Sequence, residues 1–191
     1  MSKIRTFIAI DTPEPIKDKI FEVQNLLRES DADVRWESRD KFHITVKFLG
    51  GTEESILSEI IQNLSATLTP FKPFQLLYDG LGCFPNIRSP RVIWVGCENE
   101  DGTLLKIYQT IEDIVGPFGF EKESRRFHPH ITLGRVKSPK RIQDLIRTMQ
   151  STTFDRQITE CRELHVVKSD LRPTGSVYTV LHRIHLLPAK T

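Results

Sequence analysis

One short pattern occurs twice in this chain. Residues 42–47 read Phe-His-Ile-Thr-Val-Lys and residues 129–134 read Pro-His-Ile-Thr-Leu-Gly, so His43-Ile44-Thr45 recurs as His130-Ile131-Thr132. The two histidines lie 87 positions apart (130 minus 43) in a chain of 191 residues, which is close to half its length. A duplicated half gives that spacing, and the fold must then hold two equivalent strands. Side chains alternate faces along a strand. His43 and Thr45 therefore share one face while Ile44 and Val46 point into the core, and His130 and Thr132 do the same against Ile131 and Leu133. Glu37-Ser38-Arg39 before the first copy is echoed by Glu123-Ser124-Arg125 before the second, at an offset that differs by one residue.

The surrounding pattern mixes both periods. Apolar runs at 4–10, 34–36, 42–49, 74–84, 92–95, 131–136, 164–167 and 177–187 read as strands, with Gly50-Gly51 closing the third and Pro173-Thr174-Gly175 turning the last two. Residues 15–27, 53–64, 104–115 and 142–149 carry apolar residues at helical spacing with charges between them, as amphipathic helices do. Short strands and such helices without regular β-α-β spacing predict an α+β fold with antiparallel sheets. No linker or low-complexity tract interrupts the chain, so residues 1–191 are expected to form a single domain.

Hydrophobic residues make up 38% and charged residues 27%, with a formal charge of +2. That balance excludes a protein that coats nucleic acid over its whole surface; any such contact needs a local basic cleft. The opening residues lack the apolar core of a signal peptide and no long apolar stretch follows. Cys83, Cys97 and Cys161 are odd in number and have no metal-type spacing, so they read as reduced thiols. A soluble, cytoplasmic, monomeric protein is expected.

A lone histidine on a strand is usually a packed or surface residue. Two copies with the same aliphatic flanks are harder to dismiss, because facing one another they bring two imidazoles and two hydroxyls around one small anion. In-line displacement at phosphorus needs a base for the attacking oxygen and an acid for the leaving one. Imidazole titrates near neutrality and serves as either. Threonine hydroxyls then donate to the non-bridging oxygens. No metal or other cofactor is required. His128-Pro129-His130 makes a poor metal site, having proline between its histidines and no nearby carboxylate cluster. His165, His182 and His185 have no threonine partner and read as sheet-face residues.

At these residues the sequence resembles the 2H phosphoesterases, and within them the bacterial and archaeal RNA 2',3'-cyclic phosphodiesterases first named 2'-5' RNA ligases. The resemblance spans the N-terminal strand at 5–10, the blocks 36–50 and 127–135, and the closing strands. It implies two pseudo-symmetric α+β lobes, each an antiparallel sheet with helices packed outside, around a central cleft. It also implies that His43 donates a proton to the leaving 3' oxygen, that His130 accepts one from water, and that Thr45 and Thr132 bind the phosphate. The implied product is a 2'-phosphomonoester of an RNA that entered with a 2',3'-cyclic end.

Relatives often have arginine where this chain has His128, which shares the parity of His130 and is a candidate RNA contact. Arg135 matches a recurrent arginine. Parity sets it opposite His130 unless a bulge near Gly134 re-aims it, and it too is a candidate RNA contact. Arg88, Arg91, Arg125, Arg126 and Lys47 are weighed as cleft cations against plain solvated surface, with surface favoured. Trp36, Phe84 and Trp94 are weighed as base-stacking groups, with core packing favoured for Trp94. Joining the cyclic end to a 5'-hydroxyl would use the same residues, with water dominating. The alternative from another class is a nucleotide-binding module that uses the cleft without turnover.

Overall fold

The computed structural model describes residues 3–173 and 175–187. The first strand, β1 (Lys3–Asp11), sends Ile8 and Ile10 into the main core and Phe7 and Ala9 to the opposite face. Helix α1 (Glu14–Arg28) follows, with proline in its first turn, Glu14 at its N-terminal end and Arg28 at its C-terminal end, matching the helix dipole. It buries Ile16, Ile20, Val23 and Leu27 on one stripe. Then come β2 (Val34–Trp36), a 3-10 turn at Arg39–Lys41, β3 (His43–Glu53), α2 (Glu54–Leu68), β4 (Phe74–Phe84) and β5 (Val92–Glu98). The remainder is α3 (Thr103–Val115), a 3-10 turn at Gly116–Phe118, β6 (His130–Val136), α4 (Ile142–Ser151), β7 (Gln157–Cys161), β8 (Glu163–Arg172) and β9 (Gly175–His185).

The strands form an antiparallel sheet in the order β7-β4-β5-β6-β3-β1-β8-β9, with β2 on β6. Its two halves, β3-β1-β8-β9 and β6-β5-β4-β7, meet at the pair Ile44–Ile131, one residue from each motif. Each half takes strands from across the duplication: β4, from before the second motif, pairs with β5, while β8 and β9, from after it, extend the sheet beyond β1. All four helices contribute to one contiguous apolar core on the face away from the histidines, including Ile20 (α1), Ile60 (α2), Ile107 (α3) and Leu145 (α4).

The two motif strands match in register, residue for residue. Ala9 faces Thr45 and Ile8 faces Lys47, so Val46 is an extra residue. Trp94 faces Thr132 and Ile93 faces Gly134, so Leu133 is the same extra residue in the second copy. A bulge shifts the alternation by one from that point on. Lys47 and Gly134 therefore turn towards the core, and Phe48 and Arg135 turn to the histidine face.

Three expectations change accordingly. Lys47 does not line a basic cleft: its ammonium is buried 2.7 Å from the Glu112 carboxylate of α3 and donates to the Glu121 carbonyl at 2.7 Å. The third strand does not close at Gly50-Gly51. It runs on to Glu53 beside β1 because Gly50, at φ +66°, takes up a second irregularity. Strand β7 carried no readable signal, since Ile158 is exposed and only Cys161 is buried along it. Of the turn at Pro173-Thr174-Gly175, Thr174 lies outside the described residues.

Candidate active site

Both histidines open their strands and both are held in the same way. His43 Nδ1 lies 2.6 Å from the Lys41 carbonyl and His130 Nδ1 lies 2.7 Å from the His128 carbonyl, in each case two residues upstream. A carbonyl only accepts, so Nδ1 carries the hydrogen in each ring and Nε2 is left for chemistry. His43 Nε2 sits 3.1 Å from the Thr45 hydroxyl.

Aromatic rings fix the imidazole planes. His43 stacks on Phe7 (4.9 Å between centroids) and meets Tyr178 edge-on at 5.4 Å. His130 meets Phe84 edge-on at 5.0 Å and leans on Trp94 at 6.2 Å. Burial among these groups disfavours the charged rings. It lowers His43 from 6.5 to about 4, against the opposing pull of the Lys41 carbonyl and Asp11. It lowers His130 as well, against the His128 carbonyl, with His128 and Arg135 adding to the depression. Both rings are therefore neutral in the empty site at pH 7.

His43, Thr45, His130 and Thr132 all line one cleft of about 720 Å³. The expected pairing of the two motifs across a shared space is present. Arg135 lines the cleft too, because the bulge at Leu133 re-aims it. Gly134 is required there: a Cβ would stand 2.7 Å from Val34 and 2.8 Å from Trp36 on β2. His128 precedes β6 and is not among the cleft-lining residues. Its exposed ring lies 4.8 Å from Trp94 and 5.2 Å from Phe84.

The cations that do line the cleft are Arg5, Arg35, Lys41, Arg135 and Arg172, against the single carboxylate of Glu37 among the described residues. Arg88, Arg91, Arg125 and Arg126 are exposed elsewhere. Strand parity would have found Arg5, which shares its face with Phe7 and Ala9. No signal marked Arg172, because nothing in the sequence sets β8 beside β1. Phe48 is 48% exposed at the cleft with the Arg5 guanidinium 4.6 Å above its ring. Trp36 lines the cleft, while Trp94 is half-buried outside it rather than part of the core. His165 is buried against Glu163 (2.6 Å), His182 bonds Ser65 (3.0 Å) and His185 reaches Glu163 (3.0 Å), all on β8 and β9. Among the described residues, no three His, Cys, Asp or Glu side chains gather in a metal-binding group.

The profile of the LigT like phosphoesterase family matches this chain twice in succession, at residues 10–94 and 95–178. The chain belongs to that family. Each match carries one histidine motif, so the LigT-like repeat is the duplicated half. Relatives in this family named RNA 2',3'-cyclic phosphodiesterase include that of Methanocaldococcus jannaschii, 36% identical over 93% of this chain and 98% of its own. That of Thermotoga maritima is 35% identical over 94% of both chains. Among solved LigT-like folds, TT0787 of Thermus thermophilus superposes with a TM-score of 0.81 at 25% identity, over 98% of this chain and all of that one. Escherichia coli LigT complexed with 3'-AMP shares the fold at a TM-score of 0.76 and 23% identity, over 96% of this chain and 98% of that one.

Proposed function

We propose that this LigT-like phosphoesterase opens the 2',3'-cyclic phosphate at the end of an RNA to a 2'-phosphomonoester. The observation that carries the reading is the symmetry of the site: two imidazoles, each with Nδ1 tied to a carbonyl so that Nε2 is left for chemistry, line one cationic cleft with two threonine hydroxyls, and Nε2 of His43 already meets the Thr45 hydroxyl. His130 takes a proton from water as the water oxygen bonds to phosphorus, and His43 gives a proton to O3' as the P–O3' bond breaks. Thr45, Thr132 and Arg135 stabilise the charge gathering on the non-bridging oxygens. The exposed Phe48 ring offers a stacking face for the terminal base. The names of the relatives agree with this substrate.

Acid and base both come from side chains, so the mechanism needs no metal. The pairing of β4 with β5 and of β8 with β1 ties the halves of the sheet into one unit, which we take to act as a monomer. The three free cysteines, two of them buried, fit a reducing, cytoplasmic setting. Among the described residues no helix is long and apolar enough to cross a membrane.

The direct test is to treat an RNA bearing a 2',3'-cyclic end with the enzyme in excess EDTA and map the product phosphate. Full turnover to the 2'-phosphate is expected. A 3'-phosphate would show the acid facing the other oxygen, and activity restored only by an added divalent metal would replace the mechanism.

The pH dependence follows from burial. Productive enzyme needs His43 protonated and His130 neutral, yet both rings titrate below 6.5 in the empty cleft. The kcat/KM profile, which reports free enzyme, should therefore peak on the acid side of pH 6.5. A bound phosphate anion favours the imidazolium and raises both values, so the kcat optimum should lie at higher pH than that of kcat/KM. Coincident optima, or the reverse order, would remove this account of how His43 gains its proton.

A further inference from the structure

Strand β2 is three residues long and pairs with β6 alone, yet it brings Arg35 and Trp36 to the cleft. In that ladder Arg35 stands directly opposite Arg135, and both are exposed at the cleft. Residues opposite one another in an antiparallel pair share a face with their Cβ atoms about 5 Å apart, and like charges so placed destabilise the pairing. So short a strand, carrying that repulsion, needs a further fastening.

Gln24 supplies it. This residue sits on the apolar stripe of α1 among Ile20, Val23 and Leu27, and it is fully buried. Its amide nitrogen donates to the Glu37 carbonyl and to the Leu133 carbonyl, both at 2.8 Å. The Arg28 guanidinium donates to its amide oxygen at 3.3 Å, so every part of the buried amide has a partner. Leu133 is the extra residue of the β6 bulge, and its carbonyl also accepts the Glu37 N–H at 2.8 Å. One side chain therefore joins the residue after β2 to the residue whose kink turns Arg135 to the cleft. In the first copy α3 meets the motif strand through side chains instead, Glu112 on Lys47.

We propose that Gln24 is a positioning residue: it staples β2 to the bulge of β6 and so holds Arg35 and Arg135 side by side as a paired site for one phosphate group. This rests on the part given to Arg135 above. Two guanidiniums at that spacing repel one another, and a phosphate between them removes the repulsion by accepting hydrogen bonds from both planar forks. The staple keeps β2 from swinging away to part the charges. Gln24 touches no substrate and acts through the backbone alone.

The test measures binding of inorganic phosphate by calorimetry, which needs no turnover, beside kcat/KM on cyclic-ended RNA. Gln24→Met keeps the volume of the side chain and removes both donors. It should weaken phosphate binding and lower kcat/KM by at least about tenfold each, the scale of a misplaced binding group. Arg35→Ala and Arg135→Ala should each do the same. The double variant Gln24→Met with Arg135→Ala should be no worse than Arg135→Ala alone, because the amide acts through that arginine. Gln24→Asn, which keeps an amide but shortens its reach, carries the comparison if Gln24→Met does not fold. An amide that only stabilises the fold would lower resistance to urea and leave phosphate affinity per folded molecule unmoved, which overturns the proposal. So do losses that multiply in the double variant, or an Arg35→Ala that binds phosphate like wild type. Wild type that binds phosphate in this pattern but opens no cyclic end would sink the hydrolase reading and still support the paired site.

Discussion

Replacing either motif histidine by alanine is expected to lower turnover of a cyclic-ended RNA by at least about a hundredfold, the usual contribution of a positioned acid or base. The double variant should be only slightly worse than either single one, because the two groups act on one transition state and their effects do not add. Each ring lies at the cleft rather than inside the main core, so circular dichroism should report folded protein. His43→Ala is the more demanding case, since it also removes the stack on Phe7. Thr45→Val and Thr132→Val should impair both phosphate binding and rate, because the hydroxyls meet the anion before and during reaction. Steady-state hydrolysis paired with nucleotide titrations decides the matter. If every variant binds like wild type and wild type hydrolyses nothing above buffer, the chain is a binding module and not an enzyme.

Lys47→Ala should have the opposite signature, unfolding the protein more easily without touching the chemistry. Lys47 and Glu112 are 7% and 5% exposed, and removing the ammonium strands a buried carboxylate. Breaking such a pair costs about 3 to 5 kcal/mol, whereas replacing both partners by apolar groups is often neutral. Urea unfolding of Lys47→Ala should therefore show a large loss of stability, and Lys47→Met with Glu112→Leu should recover most of it. Turnover per folded molecule should stay near that of wild type. Weakened RNA binding with stability intact would instead return Lys47 to the cleft.

The contrast between these residues marks how far the sequence can be read. His43, Thr45, His130 and Thr132 were legible because two residues of strict alternation, repeated at half the chain length, fix a shared face without further knowledge. The helices were legible for the same reason at their own period. Beyond Thr45 and Thr132, one extra residue breaks the alternation in each copy. Lys47 then turns inward and Arg135 outward, and neither turn follows from residue type. A bulge is a matter of pairing between strands, which a single strand's sequence does not encode. Arg172 was hidden for a related reason: it reaches the cleft on β8, whose place beside β1 is a long-range choice of topology.

The matched bulges also bear on how such a site tells one end of its substrate from the other. His43 and His130 begin strands that kink at the same place, one residue after the threonine, and each ring is anchored to a carbonyl two residues back. As far as the motifs are concerned, a cyclic phosphate turned end for end would meet the same four side chains. Directionality must then be written in the residues the repeats do not share. Phe48 and Arg135 occupy equivalent places after the bulge, and Ala9 and Trp94 equivalent places opposite the threonines. On this view the choice between breaking the bond to O2' and the bond to O3' belongs to those mismatched neighbours, and a drift in regiochemistry could arise while both His-Ile-Thr motifs stayed intact.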